Sequence, residues 1–255
     1  MLLCIDIGNT NTVLATFEGD KIVHSWRVKT DSRSTADELG LMFRGLLAND
    51  SVELTGVAAC STVPAALRSL RTMLARYYAN MPTVIVEPGV KTGVQLAIDN
   101  PKEVGADRVV NTLAAYHLYG GPSIVVDFGT TTNFDVVSER GEFLGGAFAP
   151  GIEISFDALA ARAAQLRKVE AVKPRSVIGK NTVECLQAGM FFGFAGQVDR
   201  IVERMTEELG GSVTAVIATG GLAPVVLEEC QTVTHHEPMI TLIGLRLVYE
   251  RNVTA

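Results

Sequence analysis

Cysteine is scarce in this chain and poorly placed for bridging. Cys4, Cys60, Cys185 and Cys230 are far apart, form no Cys-x-x-Cys and sit mostly among apolar residues. That pattern points to reduced thiols and away from a disulfide framework or a zinc site. His24, His117, His235 and His236 lack metal-ligand spacing and read as surface or packed histidines. No apolar run approaches the roughly 18 residues that span a bilayer. The opening "MLLCIDIG" has no basic flank and soon meets Asp6, so neither an anchor nor a secretory signal is expected. Positive charge is also short, with 22 Lys and Arg against 28 Asp and Glu for a net charge of −6. Without a basic stripe, nucleic acid is not expected as a partner. Two common nucleotide signatures are missing: there is no G-x-x-x-x-G-K-[ST], and no G-x-G-x-x-G follows a strand. P-loop and Rossmann chemistry are therefore disfavoured. Reduced thiols and no targeting segment together predict a cytoplasmic protein.

What is present is enough apolar material for a sizeable core. At 255 residues and 47% apolar, the chain can build one large domain or two small lobes. Runs rich in β-branched and apolar residues predict strands at 2–7, 13–28 (a hairpin turning at Glu18-Gly19-Asp20), 55–60, 83–87, 123–128, 134–147 and 214–219. Thr35 and Glu38 form a capping-box pattern ahead of Leu39, Met42, Phe43, Leu46 and Leu47. Pro64 suits the first turn of a second helix, a third stops at Gly120-Gly121, and a fourth spans 181–209. Strands alternating with helices predict an α/β class.

One pattern occurs twice. "LCIDIGNTNTV" returns 121 positions later as "IVVDFGTTTNF", so that Asp6 falls on Asp127, Gly8 on Gly129, Thr10 on Thr131 and Glu18 on Glu139. Each copy is an apolar strand, an aspartate, a glycine turn with small polar residues, and a second strand. The expectation is two duplicated lobes, 1–117 and 118–255, around a central cleft that carries both turns.

Such a turn lines up backbone N–H groups with Asn and Thr side chains, which suit phosphate oxygens, and glycine lets a phosphate come close. An aspartate just before it repels phosphate unless a cation lies between. Asp6 and Asp127 thus predict Mg²⁺ held largely through water and nucleotide oxygens, with room for a second cation. "AVIATGGLAP" places Gly220 and Gly221 after a strand, where a flat base could pass close to the backbone; a plain strand-to-helix turn explains them equally. Asp107 and Arg108 stand where a helix begins, which helix capping also explains. In a phosphoryl-transfer site they would orient an accepting hydroxyl and hold an anionic acceptor.

Asp6-Ile7-Gly8-Asn9-Thr10, Gly105-Ala106-Asp107-Arg108, Asp127-Phe128-Gly129-Thr130, Gly145-Gly146 with Pro150-Gly151, Gly179-Lys180-Asn181-Thr182 and Ala218-Thr219-Gly220-Gly221 together resemble the type III pantothenate kinases of bacteria. The match is collinear from residue 2 to about residue 252. That family belongs to the superfamily of acetate and sugar kinases, actin and heat-shock chaperone ATPases, so the resemblance implies actin-like (ribonuclease H-like) lobes. It also implies ATP-dependent phosphorylation of pantothenate to 4′-phosphopantothenate, the first step of coenzyme A synthesis. By matching position, Asp6, Ile7, Gly8, Asn9, Thr10, Asn11, Thr12, Val13 and Thr130 would hold ATP. Asp107 would accept the proton, and Gly105, Ala106, Arg108 and Thr182 would hold pantothenate. Asp127 would bind the monovalent cation, K⁺ or ammonium, that accompanies Mg²⁺, and the protein would be a homodimer. Two departures stand out: Ile98 replaces a frequent tyrosine, and Thr131-Thr132-Asn133 replaces Ala-Thr-Thr. Alternatives are a non-catalytic nucleotide-binding regulator of the same fold, or a kinase for another small hydroxyl substrate.

Overall fold

In the computed structural model, residues 1–48, 53–162 and 169–253 are described. They divide into two compact units, one formed by 1–94, 99–114 and 239–255, the other by 95–98 and 115–238.

The first unit starts with β1 (Leu2–Ile7), β2 (Asn11–Glu18) and β3 (Lys21–Lys29), joined as antiparallel neighbours, with Gly19 at φ +60° in the second turn. α1 (Ala36–Ala48) follows. Its capping box forms: the Thr35 N–H donates to Glu38 Oε2 at 2.7 Å, and the Glu38 N–H donates to Thr35 Oγ1 at 3.3 Å. Next come β4 (Gly56–Ser61), α2 (Pro64–Tyr77) with its proline in the first turn, β5 (Thr83–Ile85), a 3₁₀ turn at Pro101–Glu103, and α3 (Ala106–Tyr119). The sheet order is β3-β2-β1-β4-β5, with β1, β4 and β5 parallel.

Period-two alternation sorts β1 between two cores. Leu3, Ile5 and Ile7 pack with Phe43 of α1 and Leu70 and Met73 of α2. Cys4 looks the other way, among Ala58, Cys60, Val110, Leu113, Leu242, Leu245 and Val248. The parity of the strand thus gives Asp6 to the face covered by α3.

The second unit repeats the plan with β6 (Ser123–Phe128), β7 (Thr131–Val137), β8 (Phe143–Pro150), α4 (Ile152–Arg162), α5 (Thr182–Glu208), β9 (Ala215–Thr219), a single turn α6 (Ala223–Val226) and β10 (His235–His236). Its order, β8-β7-β6-β9-β10, reproduces that of the first sheet strand for strand, including which pairs are parallel. Ile124, Val126 and Phe128 pack with Met190, Val198 and Val202 of α5. Asn181 caps α5 by accepting from the Glu184 N–H at 3.0 Å, and Gly210 at φ +95° follows its end.

α7 (Ile240–Val253) corrects the simple division at 117/118. It belongs with the first unit because Leu242, Leu245 and Val248 bury against the β1 and β4 face beside α3. Each buried leucine contributes about 1.5–3 kcal/mol. The four cysteines are free thiols, with Cys4 and Cys60 buried and Cys185 exposed.

α7 crosses α3 at close range. A Cβ on Gly244 would lie 2.1 Å from the Val110 carbonyl oxygen, and the Thr241 hydroxyl donates to Asn111 Oδ1 at 2.8 Å. Gly244→Ala is expected to destabilise the protein by about 1–3 kcal/mol, the scale of overpacking, read as a lower midpoint in urea unfolding. An unchanged midpoint would show that the two helices separate without cost.

Candidate active site

At the end of β1 the chain turns through Gly8, Asn9, Thr10 and Asn11, and the Gly8 N–H donates to the Asn11 carbonyl at 3.0 Å. Asn9 and Thr10 are exposed at the tip. The Thr30 N–H donates to the Thr10 carbonyl at 2.9 Å, and the Thr12 and Thr30 hydroxyls are 2.9 Å apart, so the end of β3 braces the loop. Asn9, Lys29, Arg33 and Val63 line a cavity of about 340 Å³ beside it. Lys29 brings positive charge to this cavity, where Arg33 is paired with Asp31, another lining residue, at 3.2 Å, and no spacing rule in the sequence singled them out.

The corresponding turn after β6 is one residue shorter. Ile7 pairs with Thr12 but Phe128 pairs with Thr132, and the Gly129 N–H donates to the Thr131 carbonyl at 3.0 Å. The 121-residue echo therefore slips by one place once the second turn is passed. Neither Gly8 nor Gly129 is among the glycines with positive φ. A Cβ on Gly129 would meet only ordinary contacts at 3.7 and 3.8 Å, whereas one on Gly8 would be 3.2 Å from the Asn11 carbonyl. At Gly129 the fold itself does not demand glycine.

Asp6 and Asp107 come together in the first unit. α3 starts at Ala106, so Asp107 lies in its first turn. Its carboxylate accepts from the Arg108 backbone N–H and from its own, which is the cap-like role foreseen. Its Oδ1 is nevertheless buried without a hydrogen-bond partner, and a Cβ on Gly105 would stand 2.4 Å from that oxygen. Burial raises the Asp107 pKa, with the Arg108 N–H and guanidinium pulling it partly back. Asp6 is affected more. Burial, then the charge of Asp107, push its pKa up to about 7, against smaller opposing effects of the Cys60 thiol and Arg27. The Cys60 contact, at 3.4 Å, escaped the sequence reading because it depends on strand register.

In the second unit, Asp127 is the last residue but one of β6, opposite Thr219 of β9. Gly220, at φ +91°, presses against this end: a Cβ there would lie 2.5 Å from Asp127 Oδ1 and 2.6 Å from the Phe128 carbonyl oxygen. Gly221 and Thr130 are exposed beside it in the chain. Gly151 buttresses the 129–131 turn through its N–H to the Thr130 carbonyl at 3.1 Å. Thr182 is exposed in the first turn of α5.

The model of the type III pantothenate kinase family matches residues 2–204. The chain belongs to the type III pantothenate kinase family. Over 253 residues, 99% of this chain and all of the relative, it is 85% identical to a type III pantothenate kinase of Salinispora arenicola. It is 68% identical to that of Acidothermus cellulolyticus over 99% of both chains. Among solved structures it is similar to an activator of 2-hydroxyisocaproyl-CoA dehydratase from Clostridium difficile with bound ADPNP, with a TM-score of 0.59 and 12% identity over 98% of this chain and 95% of that one. A ROK hexokinase from Thermus thermophilus gives a TM-score of 0.53 and 14% identity over 99% of both. These structural likenesses carry the fold, and they bear out an actin-like α/β class with two duplicated halves.

Because the folded pKa of Asp6 exceeds its ordinary 3.8, the folded protein binds this proton more tightly than the unfolded chain. Stability is therefore lost as pH rises from about 4 towards about 7, and the cost is fully present above that. In the nucleotide-free protein, Asp6→Asn should raise Tm at pH 8, where each kcal/mol is about 2–4 °C, and the gain should vanish near pH 4. A thermal scan showing the same gain at both pH values would refute the assignment.

Proposed function

We propose that this chain transfers the γ-phosphoryl group of ATP to the primary hydroxyl of pantothenate, giving 4′-phosphopantothenate in the first step of coenzyme A synthesis. The observation that carries the reading is the buried, unpartnered Oδ1 of Asp107 beside Gly105 in a member of this kinase family. A buried carboxylate oxygen without a donor is costly unless a ligand supplies one, and the substrate hydroxyl is such a donor.

In this reading the backbone and side chains of Asp6 to Val13 hold the triphosphate, with Thr130, Gly220 and Gly221 also on ATP. Asp107 accepts a hydrogen bond from the pantothenate hydroxyl, orients it for in-line attack and takes its proton as the bond to phosphorus forms. Its raised pKa makes it a better proton acceptor than an ordinary aspartate. Arg108 pairs with the pantothenate carboxylate, and Gly105, Ala106 and Thr182 complete the acceptor site.

The residues fit a divalent cation shared with the nucleotide. Among the described residues no three His, Cys, Asp or Glu side chains cluster as a metal cage, and Asp6 carries a charge that its surroundings oppose. Mg²⁺, when bound, neutralises charge on the transferring phosphates. Asp127, at the matching position of the second turn, takes K⁺ or ammonium in this reading. We also infer a cytoplasmic homodimer; no helix among the described residues is long and apolar enough to cross a membrane. Leu144 and Phe148 on β8, 38% and 64% exposed, support an interface there.

The decisive test is purified protein with ATP, Mg²⁺ and pantothenate, with and without K⁺, assayed for 4′-phosphopantothenate. Asp107→Asn should lower kcat by about 10²-fold or more with ATP affinity little changed, and Arg108→Ala should raise the KM for pantothenate more than that for ATP. Near-normal turnover of Asp107→Asn would remove it as the base. Sedimentation of the same preparation should give twice the chain mass, and a monomer would exclude the dimer.

A further inference from the structure

Cys60 is fully buried, faces Asp6 across the parallel strands β1 and β4, and donates its thiol proton to Asp6 Oδ1 at 3.4 Å. The duplicated sheet repeats the placement with a different residue. There Asp127 faces Thr219 across β6 and β9, and Thr219 is only 3% exposed. Both sheets thus set a short side chain with one donor hydrogen at the same register point, beside the carboxylate that precedes the turn. A purely packed position on that strand needs no donor: Ala58, two residues earlier on the same face, has none.

We propose that Cys60 is a positioning residue, whose thiol fixes the Asp6 carboxylate by engaging Oδ1. This bond leaves Oδ2 uncommitted for the cation at the phosphates. Thr219 is its counterpart for Asp127. The inference rests on the reading of Asp6 as the carboxylate of the nucleotide site.

Packing and hydrogen bonding make opposite demands on substitutions here. Valine fills the space of the thiol and removes the donor; serine keeps the donor and gives up volume. If the hydrogen bond matters, Cys60→Ser retains most of the activity. Cys60→Val then loses kcat by about 10- to 100-fold, the scale of a hydrogen bond to a charged group, with the KM for pantothenate within about twofold. Calorimetry on the full chain adds a readout independent of turnover: Cys60→Val should weaken binding of ATP with Mg²⁺ more than binding of ATP with chelator, while Cys60→Ser should not. Thermal scans identify any variant that fails to fold, and Cys60→Ala then stands in as the donor-free form. The reverse ranking, valine active and serine impaired, or no difference between them, would overturn the proposal. Asp6→Asn separates the two levels. If it is inactive while Cys60→Val is normal, only the role of Cys60 falls; if it turns over normally and binds ATP with Mg²⁺ unchanged, the nucleotide-site reading falls with it.

Discussion

Two half-buried carboxylates on one face set the terms for the first unit. Asp107 adds to the cost of ionising Asp6 on top of the cost of burial, and like charges in a partly dry setting interact far more strongly than in water. The chain cannot avoid this by turning Asp6 outward. Leu3, Ile5 and Ile7 need the opposite core, and a slip of one residue would exchange the faces of the whole strand. Hydrophobic alternation therefore holds the acid where electrostatics resists it. The site is a place where the fold spends stability to obtain chemistry.

The second sheet has the same strand order with different strand tips. Asp127 lies next to the end of its strand, beside Thr219 and a left-handed Gly220, and its turn is one residue shorter. Duplication preserved the frame and changed the tips. That is the expected division of labour in an α/β fold, where strand ends carry the ligand chemistry and sheet interiors carry the packing.

Most of the frame was legible in sequence because its elements are locally consistent. β-branched runs mark the strands, Thr35 and Glu38 announce α1, and Asp6 and Asp127 mark equivalent strand ends. α7 was not legible as an element. Ile240, Leu242, Gly244, Leu245, Arg246, Leu247 and Val248 are all buried, so it has no single apolar stripe for a periodic reading to detect. Its membership of the first unit was equally hidden, since a single cut cannot describe a unit closed by a distant segment. At the site, residue types pointed to Asp6 and Asp107. The Cys60 bond, the shortened second turn and the approach of Gly220 to Asp127 depend on register and on backbone direction, which composition does not encode.

α7 also fixes a sequence of events. The core that holds Cys4, Ala58 and Val110 lacks Leu242, Leu245 and Val248 until α7 is made. During synthesis the stretch from Ala114 to Met239 takes on the order of 10 s to emerge. Throughout that interval Cys4, Ala58 and Val110 have no cover from this helix. The residues of β1 and β4 thus wait for those of α7, and a ribosome that stalls before α7 leaves this core open on one side.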